Sequence, residues 1–200
     1  MSSITESLRN FWLRDKMTAT TIKIKVQATP NPDAIKFILD RSIKNEGKIS
    51  FRSEYECLHV PLARALMQIP HVLQTHFFEN VITVTQSGDM PEEELENAVK
   101  ELITLFIDEH NPNFQSSEEV RRETLSPELQ KIELILDETI RPALQADGGD
   151  VQVLELHNNI LTIMYEGACG SCPSSQLGTL EAIRSTLRSE YDPEIDVVTL

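Results

Sequence analysis

Apolar and polar residues alternate along several segments in the first half of the chain, which is the period of a strand with one buried face. The candidate strands are TIKIKVQA (21–28), IKFIL (35–39), the weaker ISFRSEY (49–55), HVLQTHFF (71–78) and VITVT (81–85). The proline-containing turn TPNPDA separates the first two, and Glu79-Asn80 separates the last two. Short turns between alternating segments predict two antiparallel hairpins.

Two segments of the first half have the period of a helix instead. PLARALMQI (61–69) begins with proline and continues with helix-forming residues, which predicts a short helix. Residues 91–109 predict a longer amphipathic helix, with Pro91 and three glutamates at its N-terminal end. Its apolar stripe consists of Leu95, Ala98, Val99, Leu102, Ile103 and Phe106. These strands and helices predict an α+β domain that ends near His110.

The second half begins after the polar stretch NPNFQSSEEVRRETLS, which lacks apolar periodicity and is typical of a linker. Ser126 followed by Pro127 predicts a helix start. The predicted buried stripe of this helix is Leu129, Ile132, Leu136, Ile140 and Ala143. DGGD (147–150) then stops the helix, with Gly148 or Gly149 in a left-handed cap.

Two strands, a helix and a final strand follow. VQVLELH and ILTIMYE meet at Asn158-Asn159, residue types that tolerate the positive φ of a two-residue hairpin turn. Pro173 begins a helix whose Leu177, Leu180, Ile183 and Leu187 face a core, and DVVTL closes the chain as a strand. The C-terminal domain is therefore predicted as α-β-β-α-β.

The predicted fold class is α+β, with two small α+β domains joined by a polar linker. The predicted parts are an N-terminal extension (1–20), a first domain (21–110), the linker (111–125) and a second domain (126–200). The extension contains basic and apolar residues, but Glu6 and Asp15 weaken its resemblance to an import presequence.

Charge and composition exclude some classes of function. The net charge of −14 comes from 32 acidic and 18 basic residues, with no basic stripe, so we expect no nucleic-acid binding. No apolar run reaches the roughly 18–20 residues of a membrane span, so we expect no membrane partner. Three cysteines form no secreted disulfide framework, which favours a reducing compartment. We expect a cytoplasmic protein, with the mitochondrial matrix as the alternative.

The candidate chemistry lies in GACGSCPSS (167–175), a C-x-x-C loop between a strand and a helix. Pro173 places Cys172 at or near the helix N-cap, where unpaired N–H groups and the helix dipole favour thiolate over thiol. Gly167 and Gly170 let the backbone approach a bound group. The remaining residues between and beside the cysteines are small, so a group or a second chain could lie flat against the loop.

Four interpretations of this loop remain open on residue chemistry alone. It could be a structural turn, or the dithiol of a thiol-disulfide oxidoreductase, although the thioredoxin scaffold is missing. It could contribute to zinc binding, but structural zinc takes four protein ligands, and His157, the nearest other candidate, is predicted as an exposed turn residue. It could bind an iron–sulfur cluster, which commonly needs four thiolates. Two chains supply four, so zinc or a cluster would lie at a homodimer interface between Cys169 and Cys172 of each chain.

The motifs ADGGDV and GACGSCPSS in an α-β-β-α-β domain resemble the C-terminal domain of the NifU/Nfu family. TPNPDAIKF and PLARALMQIPHVLQTHFFENVITVT resemble the Nfu N-terminal domain. The resemblance implies an iron–sulfur cluster scaffold or carrier rather than an enzyme. It implies a [4Fe–4S] cluster (alternatively [2Fe–2S]) that Cys169 and Cys172 of two chains hold as a homodimer. Its implied partners are upstream cluster-assembly proteins and apo iron–sulfur clients. Cys57 matches no family ligand, and we expect a buried apolar thiol there.

Overall fold

The computed structural model describes residues 21–115, 117–170 and 173–200. The predicted N-terminal extension and Cys172 lie outside the described residues. Within the described ranges, none of the helices is both long enough and apolar enough to span a bilayer. In chain order the elements are β1 Ile24–Ala28, β2 Ala34–Leu39, β3 Lys44–Phe51, α1 Pro61–Met67, β4 Val72–Glu79, β5 Val81–Gln86, α2 Glu92–Phe106, a 3₁₀ turn Ile107–Glu109, α3 Ser117–Glu123, α4 Pro127–Thr139, α5 Arg141–Ala146, β6 Gly149–His157, β7 Ile160–Gly167, α6 Pro173–Glu190 and β8 Asp196–Thr199.

The first domain is a five-stranded antiparallel sheet in the order β1-β2-β5-β4-β3. The predicted hairpins β1–β2 and β4–β5 are both confirmed. Alternate strand residues such as Phe37, Phe77 and Ile82 are fully buried in one core with Val99 and Ile103 of α2. The apolar face of the sheet therefore lies under the helices, as the alternation predicts.

The third strand is displaced from its predicted position. β3 covers Lys44–Phe51 rather than residues 49–55. Its first half, KNEGK, has no apolar alternation, and the pairing with β4 shifts register between Lys44 and Lys48. Gly47 lies in that irregular stretch with φ of +66°. A polar strand with a bulge has no local pattern that sequence periodicity can detect.

The second domain has the predicted α-β-β-α-β order, built on the three-stranded sheet β6-β7-β8. β6 and β7 are antiparallel, and Asn158 and Asn159 turn the hairpin with φ of +48° and +59°. β8 runs parallel to β7, and α6 makes the crossover between them. The core contains Ile132 and Leu136 of α4 together with fully buried residues of the strands and of α6, namely Val151, Val153, Leu161, Ile163, Ile183, Leu187 and Val197.

The helix predicted through Ala143 is in fact two helices. α4 ends at Thr139 and α5 begins at Arg141, because Pro142 has no N–H to donate and its ring clashes with the preceding turn. The break changes the buried face, so that Ala143 is exposed and Leu144 is buried. Gly148, with φ of +84°, supplies the predicted left-handed cap.

The segment between the domains contains a short helix, α3, that its polar sequence does not predict. Glu119 lies 2.7 Å from Lys44 Nζ of the first domain. Arg121 donates from Nη2 to the carbonyl of Val153 in the second domain, at 2.5 Å. Since these contacts are polar, they leave no apolar stripe in the sequence. The connecting segment thus contacts both domains.

Candidate functional site

The cysteine loop begins where β7 ends at Gly167 and leads into α6 at Pro173. Gly167 has φ of +58°, and a β-carbon there would lie 2.5 Å from the carbonyl oxygen of Gly148, so this position requires glycine. The N–H groups of Ala168, Cys169 and Gly170 donate to Gly148, Glu166 and Gly167 respectively. The first half of the loop is therefore a tight, fully bonded turn.

Cys169 is 6% exposed and packs against the edge of the second core. A β-carbon built on Gly149 would lie 2.3 Å from Cys169 Sγ and 2.8 Å from its backbone nitrogen. Glycine at position 149 thus makes the space that the sulfur occupies. The DGGD motif predicts a helix cap, for which one glycine is enough. The second glycine of the motif, Gly149, was the sequence signal for this close approach of Cys169.

Burial, and secondly the charge of Cys169, raise the pKa of Tyr165 to about 12. Tyr165 therefore remains a neutral phenol beside Cys169 at physiological pH. A neutral neighbour adds no negative charge next to a sulfur that must be a thiolate to bind metal.

Of the two predicted ligands, the structure places Cys169, whereas Cys172 lies outside the described residues. The pairing of the two cysteines in one site stays a prediction. Gly167 and Gly170 lie in the turn with Cys169, and α6 begins at Pro173 as predicted. Gly149 and the tight turn form a cradle for the Cys169 sulfur, because no side chain at position 149 takes its space.

His157 does not join this site. Gly149 pairs with Gly167 at the loop end of the β6–β7 hairpin, while His157 pairs with Ile160 at the turn end. Eight residues of strand separate the two ends by roughly 25 Å. His157 is exposed, as predicted. In the part of the chain that the structure describes, no three His, Cys, Asp or Glu side chains come together as a metal site.

Cys57 lies in the first core and is fully buried, as predicted. Its Sγ is 3.3 Å from the carbonyl oxygen of Ser53. Burial raises its pKa to about 11, so it remains a thiol at neutral pH. A buried neutral thiol is a poor metal ligand.

The first domain contacts the cysteine loop, which the sequence analysis did not predict. Asn31 Nδ2 donates to the carbonyl of Ala168 at 2.9 Å, and Thr85 Oγ1 donates to that of Gly167 at 3.4 Å. Gln74 Oε1 lies 3.3 Å from the position of a β-carbon on Gly170. Asn31 also accepts from the N–H of Asp33 within the predicted turn. The turn residue is thus also a contact to the loop.

Charged groups cross between the domains close to this loop. Lys48 Nζ lies 2.7 Å from Asp150 Oδ1 and 3.1 Å from Glu166 Oε2, and all three side chains are at most 5% exposed. Arg141 Nε lies 3.2 Å from Asp150 Oδ1. Burial opposes ionisation of Asp150, but Lys48 and Arg141 outweigh it and hold the pKa of that carboxyl below its ordinary value. Asp150 is therefore an ionised, buried anchor at the start of β6.

Two family models match the chain, one in each domain. The model described as "Scaffold protein Nfu/NifU N terminal" matches residues 24–110, and the "NifU-like domain" model matches residues 132–198. Together they cover the first sheet, all but the last residue of the second sheet, and the cysteine loop. The motifs on which the resemblance rests lie within the matched ranges.

Curated relatives match along most of the chain. "NifU-like protein 4, mitochondrial" of Arabidopsis thaliana is 29% identical over 84% of this chain and 62% of its own length. "NFU1 iron-sulfur cluster scaffold homolog, mitochondrial" of Homo sapiens is 31% identical over 88% of this chain and 70% of its own. The chain thus spans between three fifths and three quarters of these relatives.

Among solved structures, the solution NMR structure of a NifU-like protein from Saccharomyces cerevisiae matches with a TM-score of 0.44 and 20% identity, over 52% of this chain and 93% of that one. A TM-score below 0.5 supports no argument about the fold. The two family models and the human relative are sufficient: this chain belongs to the NifU/Nfu family.

Proposed function

We propose that the chain is an iron–sulfur cluster scaffold or carrier whose ligands are Cys169 and Cys172. The observation that supports it is the position of Cys169 Sγ against Gly149, on a glycine-shaped turn that leads into α6. The human relative is named as an iron–sulfur cluster scaffold homolog, which agrees with this site. The cluster is cargo, and the chain is not an enzyme in this proposal.

The cluster would be [4Fe–4S], with [2Fe–2S] as the alternative, and two chains would share it. One chain offers two thiolates in this loop, whereas clusters commonly take four. Release would proceed by ligand exchange, in which each cysteine thiolate of an apo client replaces a thiolate of the scaffold on iron. No electron transfer is needed for that exchange. Upstream assembly proteins would supply the cluster.

Location and domain limits are part of the same proposal. The names of both curated relatives contain the word mitochondrial, which favours the matrix over the cytoplasm that the sequence analysis expected. We propose domain limits of 21–110 and 126–200, after an extension of 1–20 and around a linker of 111–125. The two separate cores support this division.

Anaerobic reconstitution with iron and sulfide tests the ligands. We expect broad visible absorption and about four iron per dimer in the wild-type chain, with Mössbauer spectra of a [4Fe–4S] cluster. Cys169→Ser and Cys172→Ser should each lose the cluster. Cys57→Ser is the matched control, because its thiol is buried in the other domain, and it should retain full iron content.

Two rival functions predict different results. A thiol-disulfide oxidoreductase would remain colourless and reduce disulfides with the same two cysteines. A zinc-binding interaction module would hold stoichiometric zinc that survives reconstitution. Either result would replace the scaffold proposal.

A further inference from the structure

The outer face of the first sheet is polar. Its side chains come from alternate positions of four adjacent strands, namely Lys36, Lys48, Gln74, His76, Thr83 and Thr85. Cross-strand pairing places Lys36 beside Thr83 and Thr83 beside His76, and it places Gln74 beside Thr85. A polar face of an antiparallel sheet is ordinarily in contact with water. Yet these six residues are at most 7% exposed.

The second domain covers this face. Lys36 Nζ donates to the carbonyl of Ala146 at 2.5 Å, next to the DGGD turn. Lys48 Nζ donates to the carbonyl of Val151 at 2.7 Å in addition to its two carboxylate partners. A β-carbon on Gly148 would lie 2.9 Å from Thr83 Oγ1, which shows how closely the backbone approaches the sheet. In the cysteine loop, Gly167, Ala168 and Gly170 lie beside Thr85, Asn31 and Gln74 respectively.

The interface between the domains is built from polar contacts rather than from an apolar core. The apolar clusters of the two domains are separate. His76 Nε2 and Thr83 Oγ1 are buried in this face without a hydrogen-bond partner among the described residues. When the domains separate, water can hydrogen-bond to each of these two atoms and to the charged groups of the buried ion pairs. Separating this polar interface therefore costs less free energy than exposing an apolar core would.

We propose that the first domain acts as a cover for residues 167–170 of the cysteine loop, held closed by Lys48 and Lys36, and that it must move away before Cys169 can bind a cluster. The inference rests on the proposed function and adds regulation of access to it. While Asn31 and Gln74 lie against Ala168 and Gly170, a second chain cannot contact these residues from this side. A cluster shared by two chains therefore selects the open arrangement.

Cysteine alkylation of the full-length apo chain tests the cover. A bulky maleimide is added to the reduced chain, and mass spectrometry of peptides gives separate rates for Cys57 and Cys169. In the wild-type chain we expect Cys169 to react at least about tenfold more slowly than in the urea-unfolded chain. Equal rates in those two states would overturn the proposal without any variant.

Charge reversal then opens the cover. Lys48→Glu would face Asp150 and Glu166, and Lys36→Glu would face the carbonyl of Ala146. Each should raise the Cys169 rate by at least about tenfold. Lys25→Glu on the exposed position of β1 makes the same charge change and should leave the rate unaltered. Unaltered rates in both interface variants would contradict the proposal.

Cys57 distinguishes opening from unfolding, because it lies in the core of the first domain. A variant that opens while remaining folded keeps Cys57 protected, whereas global unfolding exposes both cysteines. If Lys48→Glu unfolds, Lys36→Glu gives the result, because the wild-type rate alone also reflects the packing of Cys169 against the core of its own domain. Intact mass measurement identifies the alternative in which two apo chains exchange covers, since that arrangement is a dimer before any cluster is added.

Cluster loading separates this inference from the function on which it depends. If the scaffold function and the cover are both correct, Lys48→Glu takes up iron and sulfide faster than the wild-type chain and reaches the same final iron content. If all variants bind cluster at equal rates with equally reactive Cys169, the scaffold proposal stands and the cover is wrong. If none binds cluster while Lys48→Glu raises the Cys169 alkylation rate, the cover stands and the cargo is something else.

Discussion

The Sγ atom of Cys169 occupies the space that a side chain at residue 149 would take, because a β-carbon on Gly149 would lie 2.3 Å from it. The two residues are twenty positions apart and meet where β6 begins beside the end of β7. The backbone nitrogen of Cys169 also lies 2.8 Å from that position, so rotation of the cysteine side chain alone does not relieve the contact. The loop and the DGGD turn thus form one unit.

Gly149→Ala should lower the free energy of unfolding by about 1–3 kcal/mol, since the loop must shift to admit the methyl group. It should also lower the iron content after reconstitution. Gly178→Ala is the matched control, because a β-carbon there has no atom of the described residues within 4 Å and alanine favours helix. Urea denaturation and iron analysis check both variants. Wild-type iron content and free energy of unfolding in Gly149→Ala would contradict the inference that glycine at position 149 makes the space for Cys169.

Arg141 is 2% exposed and lies among Glu133, Asp137 and Asp150. Arg141→Met should lower the free energy of unfolding by about 3–5 kcal/mol, because it removes the nearest cation of the buried Glu133 and one of the two cations beside Asp150. Arg64→Met removes an exposed guanidinium 3.8 Å from Glu54 and should cost no more than about 1 kcal/mol. Urea denaturation at neutral pH measures both. Similar losses in the two variants would show that the buried network contributes little.

His76 should make stability depend on pH. Burial lowers the pKa of His76 below its ordinary 6.5. The charges of Glu166 and Asp150 raise this pKa, those of Lys48 and Arg52 lower it, and burial is the largest effect. The unfolded chain therefore takes up this proton first. Below pH 6.5 the free energy of unfolding should fall by at most about 1.4 kcal/mol per pH unit from this group, and the loss should end below the folded pKa.

The measurement is urea denaturation at several values between pH 5 and pH 7.5. His76→Gln should reduce the slope in that range, because the titrating group is gone. His157→Gln replaces an exposed histidine and should keep the wild-type slope. A slope that is identical in His76→Gln and the wild-type chain would show that other groups cause it.

Cys57→Ser should separate stability from cluster binding. It places a hydroxyl in an apolar core at zero exposure, which should cost about 1–3 kcal/mol. Because Cys57 lies in the other domain from the cysteine loop, iron content should not change. Cys169→Ser should show the reverse pattern, with lost iron and a smaller effect on stability. Lost iron in a folded Cys57→Ser chain would place Cys57 among the ligands.

Most of the regular elements follow from local patterns in the sequence. Alternation determines β1, β2, β4 and β5, and paired asparagines with positive φ determine the β6–β7 turn. Where the local signal was absent or misleading, the prediction failed. The polar first half of β3 gave no alternation, and the apolar stripe of α4 was extended through Pro142, although proline cannot continue the hydrogen-bonding pattern of a helix.

The candidate chemistry was also visible in the sequence, because a C-x-x-C loop between a strand and a helix is a local feature. Its surroundings were not. The contact from Asn31 to Ala168 joins residues 137 positions apart, and Lys48 meets Asp150 across the domain interface. A row of polar residues on alternate strand positions looks the same whether it faces water or another domain's polar surface, since both supply hydrogen-bond partners. Only the tertiary structure showed that this face contacts residues 167–170 of the cysteine loop, because that depends on how two separately formed cores pack together.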